Sequence, residues 1–308
     1  MQDVQENVAL APLTTFNIGG AARHLVDVRS EGEIVEAITW AKVRNLDFII
    51  LAGGSNVLIP DSGFPGLVFR IKGDLWSISD ATVDVWAGTN LLHLIQTLGR
   101  KGLGGWESLS GIPGTIGGAI RGNAGAFGTE IKDFVTSVRA FNLVTRETNS
   151  FSNESCDFSY RHSFFKDNRE WVVTRTMLSL LKMDPQDSLR KSQETVAERE
   201  KRHLQNVRAA GSYFMNPIAP DAVRKMFEQE KGVASKNGRV PAGWLIEKAG
   251  MKGATVGGAI ASLQHPNYLV NQGTATSADV LVLAEKVKKA VKDQFGIELN
   301  EEAEIIGK

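Results

Sequence analysis

The chain has 308 residues, of which 42% are hydrophobic and 23% are charged, the composition of a folded globular protein of about two domains. Its 35 basic and 35 acidic residues give a formal net charge of zero, so the overall charge favours neither nucleic acid nor an anionic membrane as a partner. The single cysteine, Cys156, excludes a disulfide within the chain and is interpreted as an incidental or buried thiol. Small-molecule chemistry is therefore the favoured class of function.

The N-terminal residues show no pattern of a targeting or membrane segment. The run MQDVQENVALAPLTTF has neither a basic start nor a long apolar core, and no later stretch approaches the ~20 apolar residues that span a bilayer. We therefore expect a cytoplasmic protein with no membrane and no nucleic-acid partner, and we take a monomer as the working expectation.

The first hundred residues alternate between strand and helix patterns. HLVDVR (24–29) alternates as a strand does, and Ser30 with Glu33 forms a capping box that opens a helix over IVEAITWAKV. DFIILAGGSNVLI (47–59) predicts a buried strand that runs into a glycine turn. LVFRI and VDVWAG predict two more strands, and LLHLIQTLGRKGL predicts a helix that ends at glycine.

The remainder of the chain continues this mixture of α and β patterns. FVTSVRAFNLV and WVVTRTMLSLLKM predict strands on either side of a loop around 158–166. The charged segment 185–203 has few apolar residues and is interpreted as a solvated helix that links two domains. AGWLIEKAG predicts a short helix, HPNYLVN predicts a strand, and the run from Ser277 to Phe295 predicts a long helix that ends at Gly296.

Two glycine-rich stretches interrupt these patterns. AGGSN places Gly53, Gly54, Ser55 and Asn56 at the end of a predicted strand, and 110–128 reads SGIPGTIGGAIRGNAGAFG, with seven glycines in nineteen positions. AGGSN alone is equally compatible with a plain tight turn and with a backbone cradle for a diphosphate. Together the two stretches favour one large anionic ligand held from two sides. GTIGGAI also recurs as ATVGGAI, which we interpret as two similar tight turns rather than as a domain duplication.

Several catalytic motifs are absent from the sequence. It contains no nucleotide-triphosphate P-loop and no H-E-x-x-H, C-x-x-C or G-x-S-x-G pattern, and no dinucleotide fingerprint follows the first strand. The five histidines include no pair spaced by four residues, so we expect no metal in the chemistry. These absences weaken the hydrolase and zinc-enzyme classes.

Seven segments, in order, resemble the UDP-N-acetylenolpyruvoylglucosamine reductases of bacterial cell-wall synthesis. They are TTFNIGG, LAGGSNVLI, ESLSGIPGTIGGAIRGNAGAFG, YRHSFFK, GSYFMNP, AGWLIEKAGMKG and NEEAEIIG. The resemblance implies an α+β fold, with an FAD-binding domain of the vanillyl-alcohol-oxidase type, built from two α/β subdomains, and a C-terminal α/β substrate domain. It also implies that NADPH reduces bound FAD, and that the flavin then reduces the enolpyruvyl group of a UDP-sugar to give UDP-N-acetylmuramate.

The resemblance assigns three residues to the chemistry. Arg161 in YRHS matches the family's catalytic arginine, whose guanidinium fork suits a carboxylate; without the family, a surface ion pair would be the simpler interpretation. Glu302 in NEEAEIIG matches the catalytic glutamate, with Glu301 as an alternative one place earlier. Ser212 in GSYFMNP matches the proton donor, since a weakly acidic hydroxyl can protonate a carbanion-like carbon.

The same resemblance assigns the cofactor contacts. We expect the two glycine-rich stretches to press their backbone against FAD, with N–H groups facing its diphosphate and with side-chain hydrogen bonds from Ser110, Thr115 and Asn123. The predicted cofactor-binding residues are Gly53, Gly54, Ser55, Asn56, Ser110, Pro113, Gly114, Thr115, Gly117, Gly118, Asn123 and Gly125.

Four residues are predicted to contact the substrate, and two departures from the family pattern affect this region. The contacts are Tyr160, Arg199, Arg202 and Asn216, where the two arginines are expected either to bind the UDP diphosphate or to lie on a solvated helix face. The family usually has lysine where Met215 stands and commonly has arginine where Glu304 stands, so contacts to diphosphates or to NADPH are placed in doubt.

The domain boundaries are predicted from the same resemblance. The short interval between Arg161 and Ser212 is similar to the family's compact branch, which lacks an extra tyrosine-bearing loop over the substrate. The predicted domains are an FAD-binding subdomain at 1–70 joined by 299–308, a second FAD-binding subdomain at 71–207, and a substrate-binding domain at 208–298.

Two other functions stay open at this point. One is an FAD-dependent oxidase or dehydrogenase of the same fold that acts on a different alcohol or sugar, and GSYFMNP and NEEAEIIG argue against it. The other is a non-catalytic nucleotide-binding protein that has lost the flavin.

Overall fold

The computed structural model describes residues 3–202 and 206–307. The chain divides into two compact units. Unit 1 comprises residues 3–8, 22–54 and 65–201, and unit 2 comprises 9–21, 55–64, 202 and 206–307. The division into three domains stays a prediction.

Helices and strands alternate along both units, as expected for an α+β protein. The α-helices are α1 (Glu31–Val43), α2 (Leu91–Arg100), α3 (Ile116–Arg121), α4 (Phe164–Asp167), α5 (Pro185–Lys201), α6 (Asp221–Lys231), α7 (Ala242–Lys248) and α8 (Ser277–Phe295). The strands are β1 (Gln5–Ala9), β2 (Ala21–Val28), β3 (Phe48–Leu51), β4 (Val57–Leu58), β5 (Phe64–Ile71), β6 (Trp76–Ser79), β7 (Thr82–Trp86), β8 (Leu103–Gly104), β9 (Gly125–Ala126), β10 (Thr129–Glu130), β11 (Val135–Asn142), β12 (Thr148–Ser152), β13 (Trp171–Ser179), β14 (Leu181–Lys182), β15 (Thr255–Val256), β16 (Ala259–Ala261), β17 (Leu269–Asn271) and β18 (Glu304–Ile305).

Two sheets form the framework of unit 1. The first has the order β1-β2-β5-β3, with β3 parallel to β5, and the second is an antiparallel sheet of order β12-β11-β13-β7-β6. One hydrophobic core runs through α1, α2 and both sheets and includes the fully buried Cys156. The strand predicted at the start of 47–59 is β3, which runs into the glycine turn as predicted, and the short strand β4 follows that turn.

Local sequence signals account for the helix ends of unit 1. Ser30 caps α1 as predicted, since its Oγ accepts the N–H of Glu33 at 3.2 Å. The Glu33 carboxylate accepts the N–H of Arg29 at 2.7 Å, one residue earlier than a standard capping box requires. Asn90 caps α2 in the same way, accepting the N–H of His93 at 2.9 Å.

Helix α5 corresponds to the charged segment, but it is not solvated on all sides. Ser188, Ser192 and Arg199 are buried along it, and it packs against α2. A Cβ added to Gly99 of α2 would lie 2.6 Å from the Ser188 Oγ, so glycine permits this close approach. The interpretation as a solvated helix is therefore wrong, because small polar residues replace the apolar anchors that the sequence lacks.

Unit 2 combines helices α6, α7 and α8 with the antiparallel sheet β15-β16-β17 and the parallel pair β18-β4. Its separate core includes Phe16, Phe214, Leu245 and Leu283. The sequence predicts α8 correctly to both ends, since Thr276 caps the start and Gly296 follows the last residue with φ +67°.

The two similar heptapeptides fold differently. GTIGGAI contains most of α3, whereas ATVGGAI forms the β15–β16 hairpin, in which Gly257 has φ +51°. The N–H of Gly258 donates to the Asp279 carboxylate at 3.3 Å, and a Cβ at Gly257 would collide with the same carboxylate. The interpretation as two similar tight turns therefore holds for the second copy and is wrong for the first.

Candidate active site

The two glycine-rich stretches of the sequence lie against each other in unit 1. A Cβ atom added to Gly53 would lie 2.6 Å from the Cα of Gly114, which is closer than real side chains approach. Gly114 has φ +124°, and its carbonyl accepts the N–H of Leu91 at 3.1 Å. The structure thus brings together residues of both stretches that the sequence assigns to one ligand.

A short helix occupies the centre of the second stretch. Thr115 caps α3 and accepts the N–H of Gly118 at 3.4 Å through Oγ1. The N–H of Gly117 donates to the Ala87 carbonyl at 2.8 Å, and a Cβ on Gly117 would lie 2.8 Å from the Ala87 Cβ. Gly117 is therefore explained by packing within the protein, and the expectation that its N–H faces a diphosphate is corrected.

Gly118 has a different environment, which fits a bound cofactor. It is exposed, and the nearest atom to an added Cβ would be the Ala52 Cβ at 3.6 Å, an ordinary contact. Glycine costs about 0.5–1 kcal/mol relative to alanine inside a helix, and none of the described residues packs closely enough against this position to require it. This face of α3 therefore leaves room for a ligand to approach the helix backbone closely.

Ser110 and Asn123 form hydrogen bonds within unit 1. The hydroxyls of Ser110 and Ser192 are 2.8 Å apart, and both residues are buried. Asn123 is fully buried and donates both amide hydrogens, to the Ser159 carbonyl at 2.8 Å and to the Glu130 carboxylate at 3.1 Å. The Asn123 amide therefore has no donor left for a cofactor, which corrects the expectation of a side-chain bond from this residue.

Arg161 lies in a tight turn of unit 1. The N–H groups of Ser159 and His162 each donate to the other's carbonyl at 3.1 Å, which leaves Tyr160 and Arg161 between them. Arg161 has φ +58°, a backbone strain typical of functional positions. Its guanidinium donates to the Gly125 carbonyl at 2.9 Å and lies 5.1 Å from the centroid of the Tyr160 ring. The turn thus holds the guanidinium beside the glycine-rich stretch.

Asn267 fixes the segment that carries Ser212 in unit 2. The Phe214 N–H donates to Asn267 Oδ1 at 2.9 Å, and Asn267 Nδ2 donates to the Phe214 carbonyl at 2.8 Å. The Tyr213 N–H donates to the Asn267 carbonyl at 2.7 Å. Because Tyr213 and Phe214 are fully buried, these bonds determine where the half-buried Ser212 lies.

Glu302 lies on the chain segment next to that of Ser212. The N–H of Glu302 donates to the Tyr213 carbonyl at 2.7 Å, and its carbonyl accepts the Asn56 amide at 2.9 Å. The neighbouring Glu301 carboxylate binds the Lys288 ammonium of α8 at 2.7 Å. The structure therefore brings together Ser212, Glu302 and Asn56, which the sequence assigns to three separate motifs.

A cavity of about 480 Å³ in unit 2 contains two of the predicted site residues, Ser212 and Asn216. Asn216 Oδ1 accepts the N–H of Ala242 at 2.9 Å, at the start of α7. None of the other lining residues was predicted as a site residue, and Lys231, Trp244, His265 and Asn267 are among them. The run HPN in HPNYLVN was a usable signal for His265 and Asn267, because turn-forming and polar residues rarely begin a buried strand.

The remaining predicted residues are placed as follows. Pro113 is exposed, Gly54 is buried, and Ser55, Gly125 and Tyr160 are half-buried. Arg199 is buried in α5, which does not fit a solvated helix face, whereas Arg202 is exposed. The two residues that depart from the family pattern donate backbone N–H groups: Met215 to the Asn300 carbonyl at 2.9 Å and Glu304 to the Asn56 carbonyl at 3.0 Å.

Two negative findings concern the described residues 3–202 and 206–307. Within these ranges, no helix combines the length and the apolar character that crossing a membrane needs. The same ranges contain no group of three or more histidine, cysteine, aspartate or glutamate residues arranged to hold a metal ion.

Two protein-family models match the chain. Residues 22–147 match an FAD binding domain, and residues 202–306 match the C-terminal domain of UDP-N-acetylenolpyruvoylglucosamine reductase. The first match covers both glycine-rich stretches, and the second covers Ser212, Asn216 and Glu302. FAD is thus the cofactor that the N-terminal match indicates.

The chain is also similar over its whole length to curated and solved proteins. UDP-N-acetylenolpyruvoylglucosamine reductase of Solibacter usitatus is 32% identical over 304 residues, which cover 99% of this chain and 97% of that protein. The protein of the same name from Caldanaerobacter subterraneus is 35% identical over 298 residues, covering 96% of this chain and 90% of that protein. The crystal structure of the reductase from Thermus caldophilus superimposes with a TM-score of 0.77 at 31% identity, covering 98% of each chain.

Proposed function

Because this chain belongs to the UDP-N-acetylenolpyruvoylglucosamine reductase family, oxidoreductases of peptidoglycan precursor synthesis that act on a CH–CH group, we propose that it reduces UDP-N-acetylglucosamine enolpyruvate to UDP-N-acetylmuramate with NADPH. The observation that carries the proposal is the hydrogen bond between the segments of Ser212 and Glu302, which makes neighbours of two residues that the sequence resemblance assigns to one reaction. We further propose that the enzyme works as a cytoplasmic monomer.

FAD would be held by the backbone of the two glycine-rich stretches. When bound, it supplies the hydride that is taken from NADPH and added to the methylene carbon of the substrate. The proposed contacts are Gly53, Gly54, Ser55, Asn56, Pro113, Gly114, Thr115, Gly118 and Gly125, with Ser110 bonded to Ser192 within the protein.

Arg161 is the proposed electrophile for the substrate carboxylate. Hydride addition leaves negative charge on the carbon next to this carboxylate, and a cation fixed in advance stabilises that charge more than a mobile one does. The Gly125 carbonyl and the Tyr160 ring both contact the guanidinium, which supports a fixed orientation. Arginine also offers two parallel N–H donors to a carboxylate.

Glu302 is proposed over Glu301 as the catalytic glutamate. The carboxylate of Glu301 is engaged with the Lys288 ammonium at 2.7 Å. Glu302 is held through its main chain by Tyr213 and Asn56. Its role is to hydrogen-bond the developing enolate-like group or to support proton delivery.

Ser212 is the proposed donor of the final proton, which goes to the carbon next to the carboxylate. Its half-buried hydroxyl belongs to a residue that lines the unit 2 cavity. The adjacent Tyr213 is fully buried, and burial, together with the charges of Glu301 and Glu285, raises the pKa of its phenol. Ser212 is preferred over Tyr213 because it lines the cavity, whereas the Tyr213 side chain is fully buried.

The substrate would be contacted by Tyr160, Asn216, Arg199 and Arg202. The position of Asn216 in the same cavity as Ser212 supports its assignment. The exposed side chain of Arg202 is accessible to a diphosphate. The side chain of Arg199 is buried, so less of its guanidinium is accessible to the substrate. Assignment to the compact branch of the family is part of this proposal.

Anaerobic half-reactions test the proposal. The purified protein should show a flavin spectrum that bleaches with NADPH and recovers its colour with the enolpyruvyl substrate. Ser212→Ala should leave bleaching nearly unchanged and slow the recovery by on the order of 10²–10⁴, the effect of losing a general acid. Equal slowing of both steps would remove Ser212 from the proton transfer, and a colourless protein that cannot be loaded with FAD would refute the proposed function.

A further inference from the structure

The turn that carries Arg161 is attached to the glycine-rich stretch at three points. The Asn123 amide donates to the Ser159 carbonyl at 2.8 Å, the Ser163 hydroxyl donates to the Arg121 carbonyl at 2.8 Å, and Arg161 itself donates to the Gly125 carbonyl at 2.9 Å. These bonds join residues that are 36 to 42 positions apart in sequence. The turn and the stretch are therefore held together by side chains rather than by a sheet.

Asn123 is the most constrained of these attachments. It is fully buried, and its Oδ1 accepts the N–H of Lys132 at 3.3 Å while its amide donates to Ser159 and to the Glu130 carboxylate. Its backbone has φ +41°, in the left-handed region that asparagine tolerates better than most residues. Its side chain therefore holds two separate segments in a fixed relation to each other.

Contact with the cofactor does not explain these bonds, because the Asn123 amide has no donor left for FAD. Cofactor binding by the backbone needs only the path of residues 110–125, and Thr115 and the Ala87 carbonyl already fix the start of α3. Asn123 instead bonds the carbonyl of Ser159, two residues before the arginine. One Asn123 donor bonds the base of the turn at the Ser159 carbonyl, and the other bonds the Glu130 carboxylate, so this buried side chain joins the turn to the segment around Glu130.

We infer that Asn123 is a positioning residue for Arg161, which aligns the guanidinium with the face of the glycine-rich stretch on which the substrate is reduced. This inference rests on the proposed role of Arg161. It predicts that loss of the Asn123 side chain affects reduction of the substrate and spares the reaction with NADPH. An error of about 1 Å in the position of a catalytic group lowers a rate by on the order of 100-fold.

Asn123→Gly is the test variant, because glycine accepts the positive φ without strain. Asn153→Ala is the matched control. The Asn153 amide also donates to two main-chain carbonyls of unit 1, those of Lys132 at 2.8 Å and Val135 at 2.7 Å, but it does not contact the arginine turn. If Asn123→Gly does not fold, Ser163→Ala removes the neighbouring attachment and should give the same pattern with a smaller effect.

The first readout is amide hydrogen exchange of the purified full-length protein, measured without substrate. Exchange of the Ser159 and His162 amides, which close the turn, should become about fivefold to tenfold faster in Asn123→Gly, as the loss of one hydrogen bond of ~1 kcal/mol implies. The control should leave these two amides within about twofold of the unmodified protein. Unchanged exchange in Asn123→Gly would overturn the inference.

The second readout is the pair of half-reactions, measured on protein matched for FAD content. Recovery of flavin colour with the enolpyruvyl substrate should slow by about 10- to 100-fold in Asn123→Gly, while bleaching by NADPH stays within about twofold. Asn123→Gly should add no further slowing in an Arg161→Ala background, since coupled residues are not additive. Additive slowing, or equal slowing of both half-reactions, would overturn the inference. If Arg161→Ala alone has no effect, the proposed function of the arginine fails instead.

Discussion

Replacement of Asn267 by alanine offers a direct test of how the Ser212 segment is held. The residue is 2% exposed, and its side chain bonds both the N–H and the carbonyl of Phe214, which is fully buried. Each lost hydrogen bond is worth about 0.5–1.5 kcal/mol, and a buried polar group left without a partner costs ~1–3 kcal/mol. Water from the adjoining cavity of about 480 Å³ would relieve part of this cost. We therefore expect the free energy of unfolding to fall by about 2–4 kcal/mol.

Urea denaturation followed by circular dichroism measures the loss, and the half-reactions measure its consequence for Ser212. Asn271→Ala is the matched control, because Asn271 is 6% exposed and donates to the Phe16 and Asn17 carbonyls, each at 3.2 Å, away from the Ser212 segment. Both variants should be destabilised, but only Asn267→Ala should slow recovery of the flavin colour. A change in unfolding free energy below about 0.5 kcal/mol in Asn267→Ala would refute the reasoning.

Three further predictions follow from the site and the core. Glu302→Gln should slow reduction of the enolpyruvyl substrate. Glu301→Gln removes the ion pair with Lys288 and should change the free energy of unfolding by about 1 kcal/mol or less, with both half-reactions unchanged. Slower substrate reduction in Glu301→Gln and not in Glu302→Gln would exchange the roles of the two residues. Gly118→Ala should stabilise the FAD-free protein by about 0.5–1 kcal/mol yet weaken FAD binding in a fluorescence titration, and unchanged FAD affinity would contradict a cofactor lying against α3. Burial raises the pKa of Cys156 to about 12, so a thiol reagent at pH 8 should label it only after the protein unfolds, and rapid labelling of the folded protein would contradict its burial.

Sequence patterns predicted the elements whose signals are local. Helix α8 has an apolar repeat, a threonine cap and a terminal glycine, and both of its ends were predicted correctly. Ser30 was likewise identified as the cap of α1. The family was recognised from its motifs, which needed no tertiary information because each motif is a short contiguous run.

Patterns failed where the environment outweighs local preference. Helix α5 has few apolar residues, yet its Ser188 and Ser192 are buried. Ser188 donates to the Glu107 carboxylate, and the hydroxyl of Ser192 is hydrogen-bonded to that of Ser110, so small polar side chains pack closely here because each has a partner. No local signal shows that such partners exist. The polar residues of the unit 2 cavity were also missed, although the run HPN offered a local signal for His265 and Asn267.

The sequence by itself determined the family and identified Arg161, Ser212 and Glu302 as the candidates for the proposed chemistry. Only the tertiary structure decided what GTIGGAI and ATVGGAI become. In the first, the carbonyls of Ala87 and Thr89 accept the N–H groups of Gly117 and Ile116 and support a helix. In the second, the Asp279 carboxylate receives a glycine N–H and supports a hairpin. A segment rich in glycine has little preference of its own, so its conformation is set by the donors and acceptors that the rest of the fold places around it.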